Sequence, residues 1–581
     1  MSPIKTMLIA PPHFLYFNSV GIPQLTGYLE SKGHLVKQIL ADNLFYDYFL
    51  SEEQLRKGFS YLRTHSSEES IKEIMCEIES LIIPIKERIL PDAFPNKDLN
   101  SQIVDSEDQI LQAILQAYVE FKTKNTQVGK KKFHLNHLII KFGLKISSLP
   151  YYPTTIDPMQ GLIMRYNPLK ISDIEEAIED RKENPLLSFY QNKVFPEIQE
   201  YNPSLLGVQI NHESQIIPAF TLLTWLKREL PSIKVIIGGS LVSYLKDQVA
   251  EIEFLWQYFD FLGVGMGEYT LDTLVKCLES NGKYQDVPNL LYRKEGSIQR
   301  TEFQKVKLND IVLPHYDDSK PKPVIPYFSS SGCYWARCKF CEYPYHHTEF
   351  GHYNSKAVEL VINDLREIKE KYDPSLIFFC DSDIHPNRLE KLCDAMIRAN
   401  LKLNLFVWIR AEKEFTSMEF CQKINDAGVK AAWMGLEAGS QRMNDEMDKG
   451  IQVSDVEKII RNFDKVGIIV NLFSIVGLPG ERREEAFLTR DFFQRNEEFI
   501  KGDISISSFM LSTYCLISEN PEEFGIKIHQ PEDHQFLYPI LDYSIDRGLS
   551  PEEAVSLRDR FREEFNDSSY TEGKFFISTI E

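Results

Sequence analysis

Ten short apolar runs, most of them separated by a helix-length segment, constrain the fold more than any other feature of the chain. In the first half they are 7–10, 34–40, 205–210, 235–237, 261–264 and 289–293; in the second, 377–379, 405–407, 431–434 and 470–476. Runs that are apolar without strict alternation read as strands buried on both faces, and strands that alternate with helices build parallel sheets. Helices are expected at 24–32, 215–229, 356–371, 386–399, 416–427 and 454–466. The fold class is therefore α/β: a Rossmann-like doubly wound unit, followed by βα units in series as a full or partial TIM-like barrel.

The alternation lapses between Phe45 and Tyr201, where charged stretches of helical period replace it. This places a helical insertion at about 46–200, expected to pack over and shield the first unit. The expected organisation is 1–295 for the Rossmann-like domain, 296–322 for a linker, 323–504 for the barrel core and 505–581 for an extension closing the barrel mouth. The basic run Gly129–Lys132 reads as a solvated loop.

A net charge of −20 argues against nucleic acid or an anionic membrane as the main partner. The nine cysteines are too few and too uneven for a disulfide framework. No apolar span suits a membrane helix and the start lacks a secretory pattern, so a cytoplasmic setting is expected.

Three of those cysteines fall together in Ser331-Gly-Cys333-Tyr-Trp-Ala-Arg-Cys338-Lys-Phe340-Cys341. Thiolates this close suit an iron–sulfur cluster or zinc. A cubane held by three cysteines keeps one iron open for a small molecule. Zinc completed by His346 or His347 is the competing reading, and would make the chain a zinc-stabilised protein-binding module.

Several polar residues fall just past predicted strands, where βα folds carry their chemistry: Asp381, Asp383, Arg410, Glu437 and the turn Gly477-Leu-Pro479-Gly480. In the first domain, Gly238-Gly239-Ser240 and Gly265-Met-Gly267-Glu268 end two strands and admit a large ligand close to the backbone.

With these motifs the C-terminal half resembles the radical S-adenosylmethionine (SAM) enzymes, and the whole chain resembles their cobalamin-binding class. The resemblance implies a [4Fe–4S] cluster on Cys333, Cys338 and Cys341, with SAM on the open iron and Phe340 as the aromatic before the last cysteine. Residues 378–383, with Asp381 and Asp383, resemble the acidic motif after the second barrel strand. Arg410 matches a fourth-strand arginine, Glu437, Gly439 and Ser440 the SAM segment, and Gly477 and Pro479 the adenine-contacting turn. For cobalamin it implies Ser19, Gly21, Gly238, Gly239, Ser240, Gly265, Gly267 and Glu268. Two departures are visible: C-x4-C-x2-C replaces the commoner C-x3-C-x2-C, and the first domain lacks D-x-H-x-x-G, so a base-off cobalamin without a histidine on cobalt is expected.

The activity implied is methyl transfer to an unactivated carbon of a natural-product, peptide or other small-molecule substrate, with a reductase or flavodoxin-type electron donor. A cyclisation or rearrangement on the same cofactors is the alternative. Tyr334, Trp335, His346, His347 and Tyr514 are candidates to face substrate.

Overall fold

The structure, a computed structural model, describes residues 3–15, 20–65, 81, 107–124, 130–316, 324–345, 352–529 and 537–565. Ser19, His346 and His347 lie outside the described residues.

Strands β1 (Lys5–Ala10) and β2 (Leu35–Leu40) open the first sheet, and the insertion contributes a small hairpin, β3 (Thr155–Asp157) and β4 (Gly161–Ile163). The sheet resumes with β5 (Leu205–Gln209), β6 (Lys234–Gly238), β7 (Phe261–Gly263), β8 (Leu290–Lys294) and β9 (Ser297–Arg300), in the order β2-β1-β5-β6-β7-β8-β9. The first five strands are parallel and the last two antiparallel. Strand order reverses between β1 and β5, the switch point where open α/β sheets bind ligands beyond their strand C-termini.

The unbroken apolar run of β1 follows from burial on both faces. Met7 and Ile9 join a core built largely by the insertion, with Phe45, Phe59, Phe142 and Phe189, whereas Leu8 and Ala10 pack with Leu271 and Leu274 opposite. The insertion thus supplies one face of the sheet its core. The basic run is not a loop: Lys130–Ser148 is helical, and Lys132 pairs with Glu120 at 2.9 Å. Lysine is a good helix former, and the apolar stripe downstream decides the conformation.

Four residues assigned to the linker form β9, which pairs with β8 across Glu295 and Gly296, both left-handed at φ +51° and +80°. That is the backbone of a tight two-residue hairpin. With one apolar residue in Ser-Ile-Gln-Arg, the edge strand carried no pattern.

The barrel strands are β10 (Val324–Tyr327), β13 (Leu376–Phe379), β14 (Leu405–Ile409), β15 (Val429–Glu437), β16 (Ile469–Val476) and β17 (Ile504–Ser508). Between the first two lies a short pair, β11 (Ser330–Ser331) with β12 (Asn354–Ser355). The six strands are parallel in the order β10-β13-β14-β15-β16-β17, with β10 and β17 as open edges. Alternate residues divide between two cores. Leu405, Val407 and Ile409 pack outward on the helices, whereas Phe406, Ala431, Phe378 and Trp433 form an inner cluster. Both edge strands escaped the sequence pattern: β10 contains Pro326, tolerated at an edge, and β17 is mostly serine. The barrel therefore runs past residue 504.

The remaining chain does not simply cap the mouth. Helix Pro551–Glu564 packs Ala554, Leu557 and Phe561 into the outer barrel core, beside β17. A three-stranded sheet, β18 (Leu511–Ser512), β19 (Ile526–His529) and β20 (Ile540–Ile545), lies near the first domain. Gln248 and Tyr538 exchange hydrogen bonds of 3.3 and 2.7 Å there, and Leu537 donates to the Leu169 carbonyl at 2.8 Å.

Candidate active site

The cysteine loop leaves β10 and passes directly over the C-terminal ends of the barrel strands. Asp381 anchors its entry: one carboxylate oxygen accepts the Ser329 and Ser330 amides at 2.5 and 3.0 Å, the other the Ser329 hydroxyl at 2.6 Å. Cys333 and Cys338 are buried and Cys341 is partly so. Burial pushes the Cys333 thiol up to about 11 and raises the other two; Cys338 and Cys333 both act on Cys341, which reports their proximity. Thiols so desolvated ionise only against a positive partner or a metal. Among the described residues no three Cys, His, Asp or Glu groups close around a single-ion position.

Positive partners stand beside them. Arg410, fully buried at the end of β14, donates to the Cys338 sulfur at 4.0 Å, to Glu412 at 3.0 Å and to the Lys449 carbonyl, and lies 4.4 Å from the Trp335 ring centre. Arg410 and Lys449 draw the Cys338 thiol downward against burial. The Cys333 thiol donates to Asp383 at 3.3 Å. Burial raises Asp383, while Lys449 and Arg410 oppose the rise.

Glu437 ends β15 at φ +58°, after a bulge relative to β16, and binds the Lys449 ammonium at 2.5 Å. A left-handed glutamate costs energy and persists where its surroundings fix it. Three thiols, two buried cations and two carboxylates thus share one barrel mouth, above a floor of Trp408, Trp433 and Phe473 whose ring centres lie 4.0 to 5.5 Å apart.

Other predicted SAM residues are engaged elsewhere. Ser440 caps the helix Gln441–Glu446 and donates to Glu485 at 3.0 Å. The Gly439 amide donates to Thr489 at 2.8 Å. Gly477 donates to Glu481 and packs on Ala554, Pro479 is buried beside it, and Phe340 packs with a satellite core around Met443 and Leu478. With Asp381 saturated, the residues converging at the mouth are Asp383, Arg410 and Glu437. Tyr334 donates to Glu412 at 2.9 Å and Trp335 to the Asp448 carbonyl at 2.8 Å, so both brace the loop. Tyr514 stacks on Tyr345 at 4.5 Å, between the domains.

The predicted residues of the first domain share a different place. Gly21, Gly238, Gly239, Ser240, Gly265, Gly267 and Glu268 line one cavity of about 390 Å3 at the strand ends, closed from the barrel side by Phe328, Ser331 and Asn354. Gly239 holds φ +118°, and a Cβ there would stand 2.6 Å from the Ile210 carbonyl oxygen, so the turn admits only glycine. The glutamate is 2% exposed, its Oε2 has no hydrogen-bond partner, and burial pushes it up to about 7. The Thr270 hydroxyl on the same cavity is also unpartnered. Such orphaned buried groups fit a site shaped for a polar ligand.

Residues 327–493 match the radical SAM superfamily. That stretch of the chain is a radical SAM domain. It is 24% identical over 328 residues to an uncharacterized methyltransferase of Pyrococcus horikoshii, covering 54% of this chain and 68% of the relative. It is 21% identical over 395 residues to the anaerobic magnesium-protoporphyrin IX monomethyl ester cyclase of Rubrivivax gelatinosus, covering 64% and 68%. The cobalamin-dependent SAM radical enzyme OxsB, solved with aqua-cobalamin, shares the fold at TM-score 0.51 and 16% identity; the match covers 61% of this chain and only 58% of OxsB. A radical SAM domain implies a [4Fe–4S] cluster and SAM at the barrel. Among the described residues, no helix is long and apolar enough to cross a membrane.

Sequence reasoning did not single out Lys449 as the buried cation of the site, nor Glu412 or Thr270. Lys449 is legible only as the residue before Gly450; the other two carry no signal, because their importance arises from contacts that only the fold creates.

Proposed function

We propose that the chain is a cobalamin-dependent radical SAM methyltransferase acting on an unactivated carbon of a small-molecule or peptide substrate. The observation that carries the reading is the shared boundary. The cavity at the ends of the first sheet is closed by Phe328 and Ser331, and Ser331 begins the cysteine loop.

When bound, the cluster and SAM supply one-electron chemistry that generates a carbon radical, and cobalamin supplies a transferable methyl group. Cys333, Cys338 and Cys341 would hold the cluster. Arg410 and Lys449 would offset its negative charge at Cys338. Glu437 and Asp383 would present carboxylates to the amino group of SAM, and the aromatic floor would exclude water. Gly21, Gly238, Gly239, Ser240, Gly265, Gly267 and Glu268 would hold cobalamin. A reductase or flavodoxin-type protein would deliver electrons.

A second reading, ring closure without methyl transfer, is favoured by the similarity to the cyclase. Anaerobic reconstitution with iron, sulfide and cobalamin tests both. The reduced protein should convert SAM to 5′-deoxyadenosine, and Cys338→Ala should abolish that activity together with bound iron and sulfide. Label from methyl-labelled SAM appearing in product separates transfer from ring closure. Zinc in place of iron, with no SAM cleavage, would overturn the proposal.

A further inference from the structure

We infer that Glu268, with Thr270 beside it, reads the heteroaromatic end of a corrinoid's nucleotide tail by donating a hydrogen bond to a ring nitrogen. The inference rests on the cobalamin reading above and adds the group that selects the tail.

The cavity is mostly apolar. Leu8, Ile236 and Leu271 line it, and the missing side chains of Gly207 and Gly263 let Leu8 and Ile236 lie close over the strand backbone. Such walls suit the face of an apolar ring. Among the polar side chains that line it, Glu268 at 2% and Thr270 at 1% exposure are the two with buried atoms left without a partner, Glu268 Oε2 and Thr270 Oγ1. A purely apolar ligand would leave both atoms unsatisfied, whereas a ring with a nitrogen lone pair satisfies a carboxylic acid. A cobalamin tail held off the cobalt presents such a nitrogen on a flat bicyclic ring.

The acid is in the donating form near neutrality, since burial pushes Glu268 up to about 7. Tyr28, on the helix Gly21–Ser31, and Tyr269, on Glu268's own helix, feel its charge but are raised and stay neutral. Asp272 is paired with His34 at 2.7 Å and with Lys276, and Asp310 accepts from Tyr269 at 2.6 Å. Lys305, also on the cavity wall, donates to the His352 carbonyl. None of these groups forms a hydrogen bond with the Glu268 carboxyl.

The test is equilibrium titration of the full chain with cobalamin and with cobinamide, the same corrin without its nucleotide tail, at pH 6.5 and 8.5. The wild type should prefer cobalamin by about tenfold or more at pH 6.5, and the preference should shrink by about tenfold at pH 8.5 as the proton is lost. Glu268→Gln donates at every pH, so its preference should persist and become independent of pH. A circular-dichroism spectrum and melting transition matching those of the wild type verify its folding. Equal affinity of the wild type for both corrinoids, or a pH dependence that survives in Glu268→Gln, overturns the inference while leaving the proposed function standing. If neither corrinoid binds, the cobalamin reading itself falls, and this inference with it.

Discussion

Lys449→Met should be the most damaging single change at the barrel mouth that leaves every cysteine in place. The ammonium lies 2.5 Å from Glu437, and the two side chains are only 11% and 10% exposed. Burial alone would lower the lysine pKa, but Glu437 and Cys338 overbalance it and raise it. Removing one partner of such a buried pair strands the other charge, at a cost of about 3–5 kcal/mol. For a barrel of this size that is a fall of roughly 6–20 °C in the barrel transition, measured by anaerobic calorimetry of the protein free of SAM. Glu437→Gln/Lys449→Met should recover most of the loss, because the double change leaves no charge stranded. Because the raised lysine pKa lies above the ordinary lysine range, the pair's contribution is whole below that range and is lost only as pH climbs through the folded value. The deficit should thus be equal at pH 6.5 and 8.5. Additive single and double mutants would refute the ion-pair account, and a deficit that differs between the two pH values would refute the charge assignment.

Two further changes probe how the last barrel strands are secured. Gly477 sits at φ +84°, and a Cβ there would stand 2.4 Å from that of Ala554, so Gly477→Val should loosen helix Pro551–Glu564, read as faster amide exchange confined to that helix; unchanged exchange would show that the packing tolerates the side chain. Glu481, fully buried and pushed up to about 8 by burial, is a neutral acid in the folded protein at pH 7. Its contribution is present below about pH 4.5 and is lost as pH rises through about 8, amounting to a few kcal/mol at order of magnitude. Wild-type melting temperature should therefore fall between pH 5.5 and 8.5 more steeply than that of Glu481→Gln, and parallel profiles would exclude an ionising Glu481.

What the sequence announced and what it concealed follow from where each signal originates. Strands buried on both faces declare themselves by apolar runs, so nine of the ten predicted runs lie in the interior of a sheet, and only β2 is an edge strand. The other edge strands, β9, β10 and β17, did not, because an edge tolerates proline, serine and charge. The site divides along a similar line. Cysteine spacing is a covalent property of the chain and was legible, as were the polar residues that end strands. Whether such a residue faces a ligand or its own backbone depends on contacts from distant segments. Asp381 and Asp383 are two residues apart, yet the first is consumed by Ser329 and Ser330 while the second meets Cys333 at the mouth. Ser440 reads equally as ligand contact and helix cap, and the fold uses it as a cap. Lys449 gains its importance only when folding buries it against Glu437, a partner twelve residues away and across the strand end. A charged residue announces a site in sequence when a motif carries it; otherwise its meaning comes from the burial that the whole fold imposes.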